Sequence, residues 1–164
     1  MGSLYIHIPF CQKKCYYCSF SSCVNGGELY HTYADALQEE LAAFTREKGD
    51  SQLRTVFIGG GTPSILPCPL LVQLICNCMK NFKMLPDAEI TVEVNPGTVD
   101  EQYVAQLLAI GVNRISLGVQ TFNDRELHSL GRIHDSSTAR AAFRATKRAG
   151  CKNINLDLMY GIPG

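Results

Sequence analysis

No run of about 18 apolar residues occurs in the 164-residue sequence, so no segment is expected to cross a bilayer as a helix. Neither sign of charge is in excess: Lys plus Arg equals Asp plus Glu at 15 each. Without a basic field, nothing electrostatic argues for nucleic acid or an anionic membrane surface as a partner. No low-complexity stretch, internal linker or convincing repeat breaks the chain, and 46% apolar with 18% charged residues suits one globular core. No signal-peptide pattern opens the sequence, so its eight cysteines are not read as a disulfide framework. A reducing compartment is expected, the cytoplasm first, or a mitochondrion if the N-terminus is incomplete.

Directly after an apolar strand the sequence has Cys11, Cys15 and Cys18, a Cys-x3-Cys-x2-Cys triplet. Thiolates are the ligands of iron–sulfur clusters, and three within one short loop can hold three irons of a [4Fe-4S] cube. The fourth iron then stays open to the amino and carboxylate groups of S-adenosylmethionine, whose one-electron cleavage yields a 5'-deoxyadenosyl radical. A zinc knuckle completed by Cys23 or His31, or three inert thiols, are the competing readings. Cys68, Cys76, Cys78 and Cys151 read as small core hydrophobes.

Short β-rich runs alternate with helical patterns, the signature of βα units on a parallel sheet. Strands are expected near Leu4 to Ile8, Thr55 to Ile58, Glu89 to Val94, Arg114 to Val119 and Asn153 to Met159. Tyr30, Tyr33, Ala34, Leu37, Leu41 and Phe44 form one apolar helix face, and Leu70 through Phe82 a second. Thr98 and Glu101 predict a capping box for a third helix closed at Gly111, and a fourth is expected from Ser137 to Ala149, stopped by Gly150.

Strand alternation sorts two faces. Ile90, Val92 and Val94, then Ile115, Leu117 and Val119, then Ile154, Leu156 and Leu158 should meet the helices. Glu93, Gln120 and Asp157 then share the other face near the strand C-termini, where βα-loop active sites lie. The Gly59-Gly-Gly-Thr-Pro turn lets backbone approach a ligand closely, yet lacks the Lys-Ser/Thr of a P-loop and the spacing of a dinucleotide fingerprint.

With these residues in hand, the chain resembles the radical S-adenosylmethionine superfamily, specifically the oxygen-independent coproporphyrinogen III oxidase-like group. The resemblance rests on Tyr5-Ile-His-Ile-Pro-Phe-Cys11, the triplet, Gly59-Gly-Gly-Thr-Pro, Glu93-Val-Asn-Pro, Gly118-Val-Gln-Thr-Phe, Leu130-Gly-Arg-x-His134 and Asp157-Leu-Met-Tyr-Gly-Ile-Pro. It implies an α/β fold, a partial (βα)6 TIM-like barrel, here about five βα units forming the N-terminal part of the core without its C-terminal region. It also implies a [4Fe-4S] cluster on Cys11, Cys15 and Cys18, with Tyr5 and Tyr17 flanking S-adenosylmethionine. Gly60, Gly61 and Thr62 would meet the methionine end, Glu93 the amino or neighbouring polar groups, and Gln120, Arg132 and Asp157 the carboxylate or ribose side. No catalytic residue is assigned. Phe20 stands where the oxidases have a fourth cysteine, which points to the haem chaperone branch, implied to bind haem and deliver it to respiratory proteins. Radical decarboxylation of coproporphyrinogen III propionates is the alternative, and an electron donor such as flavodoxin or ferredoxin is implied.

Overall fold

The computed structural model describes residues 2–24, 26–48 and 52–162. The first strand, β1 (Gly2–Ile8), buries Ile6 and Ile8. The cysteine loop that follows is clipped at its two ends by a two-strand parallel pair, β2 (Phe10–Cys11) with β3 (Cys23–Val24), and by the Cys23 amide donating to the Pro9 carbonyl at 2.7 Å. Helix α1 (Tyr30–Lys48) then returns the chain to β4 (Gln52–Gly60), and α2 (Cys68–Asn81) leads to β5 (Lys83–Val94). From there α3 (Glu101–Ala109), β6 (Arg114–Gln120), α4 (Asp124–Ser129), α5 (Ser136–Arg148) and β7 (Asn153–Leu158) complete the described fold.

All pairings in the five-stranded sheet are parallel and the order is β1-β4-β5-β6-β7. Each new strand is laid beside the previous one, which is the winding of a (βα) barrel rather than of a sheet that reverses at a switch point. The expected α/β class is therefore present, with five parallel strands of which the first four are each followed by a helix among the described residues. Leu71, Leu74, Ile75 and Cys78 of α2 and Val104 and Leu107 of α3 pack onto Val56, Ile58, Val92, Ile115 and Leu117 in one core. The alternation deduced from the sequence holds for β5 and β6, while in β7, at the sheet edge, Ile154 and Leu156 are only half-buried and Leu158 is 59% exposed.

Several boundaries differ from expectation. The second helix stops at Asn81, and Phe82 is already extended and buried. The following strand begins six residues before Glu89, because β4 and β5 also pair at Gln52↔Lys83 and Leu53↔Met84. Between Leu53 and Thr55 the register shifts, so the Pro86 region bulges out rather than breaking the strand. Thr98 is not the cap of α3: its hydroxyl donates to the Asn95 carbonyl at 2.7 Å, while the Asp100 carboxylate accepts the Tyr103 amide at 2.7 Å. Likewise Asp135 caps α5 through the Thr138 amide, so that helix begins at Ser136. Gly111 takes φ 99°, as its place after α3 requires. Of the four presumed core cysteines, Cys78 and Cys151 are buried, whereas Cys68 and Cys76 are half-buried at helix surfaces. Helix α4 was not legible, being a single short stretch capped by Asn123.

Candidate functional site

At the C-terminal ends of the strands a pocket of about 340 Å³ is lined by Cys11, Cys15 and Cys18 on one side. Tyr17, Gly60, Gly61, Thr62, Glu93, Gln120, Arg132 and Asp157 line it too, so every residue that the resemblance assigns to the cofactors lies here except Tyr5, whereas Cys23 and His31 do not line it. All eight cysteines are free thiols. Among the described residues no three Cys, His, Asp or Glu side chains converge closely enough to hold one metal ion.

Backbone approach is close at the glycine turn. A Cβ on Gly61 would stand 2.6 Å from the Phe10 carbonyl oxygen and 2.9 Å from Cys11 Sγ, so only glycine fits between the turn and the first cysteine. The Gly61 amide donates to the Ile8 carbonyl at 2.8 Å and the Gly60 amide to Glu93 Oε2 at 3.1 Å. Burial pushes the Glu93 carboxyl above the usual carboxylate range, with a further rise from nearby Asp157, and the Gly60 hydrogen bond offsets part of this. Asp157 in turn accepts the Ser116 hydroxyl at 3.2 Å and the Asn155 amide at 2.6 Å, which fixes its carboxylate at the pocket wall.

Gln120 reaches the pocket by a different route from simple alternation. Leu117 pairs with Leu156 but Gln120 with Leu158, so β6 spends one residue more than β7, and Gln120 adopts φ 70°. That left-handed backbone is costly for a residue with a Cβ, and it turns the last residue of β6 into the site.

Arg132, placed after α4, crosses the pocket. Its Nη2 donates to Asn95 Oδ1 at 2.7 Å and to the Gly118 carbonyl, and its Nη1 lies 3.5 Å from both Cys15 Sγ and the Tyr17 hydroxyl. Its Nε is buried with no hydrogen-bond partner among the described residues. Tyr17 has its hydroxyl pushed up to about 12 by burial first, with Cys15 adding to the rise and Arg132 opposing it. Tyr5 stands apart: it lies three residues before the end of β1, its ring is stacked on Phe57, and its hydroxyl meets His7 Nδ1 at 3.0 Å. His7 Nε2 donates in turn to the Ser21 carbonyl at 2.8 Å, tying the far end of the cysteine loop to β1.

Sequence reasoning did not single out Asn95, Lys13 or Lys14, all of which line the pocket. Asn95 sits in the Glu93-Val-Asn-Pro turn, but its hydrogen bonds join segments far apart in sequence.

Two heme chaperones HemW are among the similar proteins. That of Escherichia coli (strain K12) is 43% identical over 162 residues, covering 98% of this chain and 43% of the relative. That of Bacillus subtilis (strain 168) is 39% identical over 165 residues, covering 100% of this chain and 44% of the relative. The chain thus spans less than half the length of these curated relatives. Coproporphyrinogen III oxidase (HemN) from Escherichia coli, described as a radical SAM enzyme, superposes with a TM-score of 0.89 at 34% identity, over 98% of this chain and 37% of that one. Over residues 5–164 the sequence matches the family model of the radical SAM superfamily, and the chain belongs to that superfamily.

Proposed function

We propose that this chain binds a [4Fe-4S] cluster through Cys11, Cys15 and Cys18 and S-adenosylmethionine beside it, as part of a haem chaperone that hands haem to respiratory proteins. The observation that carries the cofactor reading is three free thiols from one short loop lining the same pocket as the glycine turn. When bound, the cluster and S-adenosylmethionine together supply one-electron radical chemistry.

The chain's own groups divide the ligand between them. Gly60, Gly61 and Thr62 form the wall for the methionine end, and Glu93 and Asp157 offer acceptors to amino and ribose hydroxyl groups. Arg132, with Nη2 held by Asn95 and Gly118, brings its positive charge to the pocket for a carboxylate, and Gln120 adds an amide. Tyr17 flanks the site from the loop, and Tyr5 acts from outside the pocket, through the His7 tie to Ser21. An electron donor such as flavodoxin or ferredoxin belongs to the same proposal.

Haem delivery is favoured over porphyrin oxidation by Phe20, which lines the pocket at the position of the fourth cysteine of the oxidases, and by about 40% identity to heme chaperones HemW. The second reading, an oxygen-independent coproporphyrinogen III oxidase, is supported by the 0.89 TM-score to HemN. The test is anaerobic reconstitution with iron and sulfide, followed by low-temperature electron paramagnetic resonance of the reduced protein with and without S-adenosylmethionine. A [4Fe-4S] signal that changes on adding the ligand is expected; zinc uptake without a cluster would overturn the reading. Stable haem binding without coproporphyrinogen turnover then separates chaperone from oxidase.

A further inference from the structure

Two of the three pocket thiols receive a hydrogen bond, and both donors trace back to one side chain. The Thr62 hydroxyl points at Cys11 Sγ at 3.8 Å, and Arg132 Nη1 at Cys15 Sγ at 3.5 Å. Between them stands Asn95, whose Nδ2 donates to Thr62 Oγ1 at 2.8 Å and whose Oδ1 accepts from Arg132 Nη2 at 2.7 Å. The direction of every bond in this chain is forced. A guanidinium only donates, so the amide oxygen of Asn95 must face Arg132 and its NH2 must face Thr62. Thr62 then accepts from Asn95, and its own proton is left for the sulfur.

Asn95 is itself held on all sides. Its backbone carbonyl accepts the Thr98 hydroxyl at 2.7 Å, and its backbone N–H donates to Ser64 Oγ at 3.3 Å. Ser64 and Thr62 are buried, at 3% and 4% exposure, so this geometry is shielded from competing water. Space for the amide exists because position 118 is glycine: a Cβ there would lie 2.7 Å from Asn95 Oδ1.

We propose that Asn95 is a positioning residue that aims the Thr62 and Arg132 donors at the Cys11 and Cys15 sulfurs and thereby sets how readily the cluster accepts an electron. The inference rests on the cofactor reading above. Hydrogen bonds to cluster sulfurs favour the more negative, reduced form, so losing them lowers the reduction potential.

The test is a potentiometric titration of the anaerobically reconstituted full chain, followed by electron paramagnetic resonance. Thr62→Val should make reduction about tenfold less favourable, about 59 mV for one electron, whereas Thr62→Ser should keep the parent midpoint. Asn95→Asp presents only acceptors to Thr62, so the Thr62 proton turns away from sulfur and the midpoint falls. In the Thr62→Val background the same Asp exchange should add less than its single effect. Full additivity would mean that the new charge alone acts, and would overturn the proposal. The neutral Asn95→Leu exchange should also lower the midpoint. An unmoved midpoint in Thr62→Val or Asn95→Leu would overturn the proposal. So would failure of both Asn95 variants to take up iron while still folded, since a residue that only aims donors leaves the three thiolates free to bind. An unsubstituted chain that forms no cluster would instead overturn the cofactor reading, a result distinct from a cluster whose midpoint ignores Thr62 and Asn95.

Discussion

The cysteine loop and the strand-end turns face each other across one pocket but are built differently. The turns after β4, β5 and β6 rest on a packed core and on side-chain bonds that run from Ser64 and Thr98 through Asn95 to Arg132. The loop from 12 to 22 contributes no buried residue, and Tyr16 and Phe20 are 75% and 62% exposed. It is tied down at points: the Tyr16 amide to the Leu130 carbonyl at 3.1 Å, Lys14 Nζ to the Phe20 carbonyl at 3.1 Å, and His7 to Ser21. The turns supply a preformed wall, whereas the loop, with few apolar contacts of its own, has low local stability.

That contrast can be broken in stages. Replacing Cys15 by Ala should abolish cluster uptake, read as iron per chain, while thermal unfolding of the metal-free chain stays within about 0.5 kcal/mol of the parent. Truncating the wall's support acts oppositely. Leu107→Ala, at a site with no exposed surface, should cost about 2 to 5 kcal/mol in denaturant unfolding of that same metal-free chain.

A third stage uses acid. His134 is buried beside the turns, and burial first, then Arg132, lowers its pKa from 6.5 to about 4. The unfolded chain therefore binds a proton that the folded chain refuses. Stability from this group is complete above pH 6.5 and falls as pH drops towards 4, by up to about 3 kcal/mol. Urea midpoints between pH 7.5 and 4.5 should show the parent losing more than a His134→Gln variant; parallel curves would contradict the assignment. The smallest effect distinguishes the two candidate caps of α3. Asp100→Ala should cost about 1 kcal/mol through the lost bond to the Tyr103 amide, read in denaturant unfolding.

Much of this architecture was legible because period and spacing are local. Alternation named the buried faces of β5 and β6 and put Glu93 in the pocket, though not the irregular turn that brings Gln120 there, and helical spacing named Leu71, Leu74 and Val104 as core. What escaped depends on distant partners. Phe82 fits a helix stripe as well as an extended residue, and what ends the helix before it is the pairing of the next residue, Lys83, with Gln52 of β4. Thr98 has the residue type and spacing of a cap, but Asn95 and Ser64 claim its hydroxyl. Asn95 was passed over because an asparagine in a Pro-Gly turn satisfies local turn chemistry; its role comes from Thr62, 33 residues away, and Arg132, 37 residues away.

The left-handed backbone of Gln120 has a consequence for change over generations. Glycine at this position would relieve strain of about 1 kcal/mol, yet would remove the amide from the pocket. Selection for heat resistance alone should favour the exchange, and selection for ligand binding should reverse it, so the residue recovered there would tell which demand a population had met.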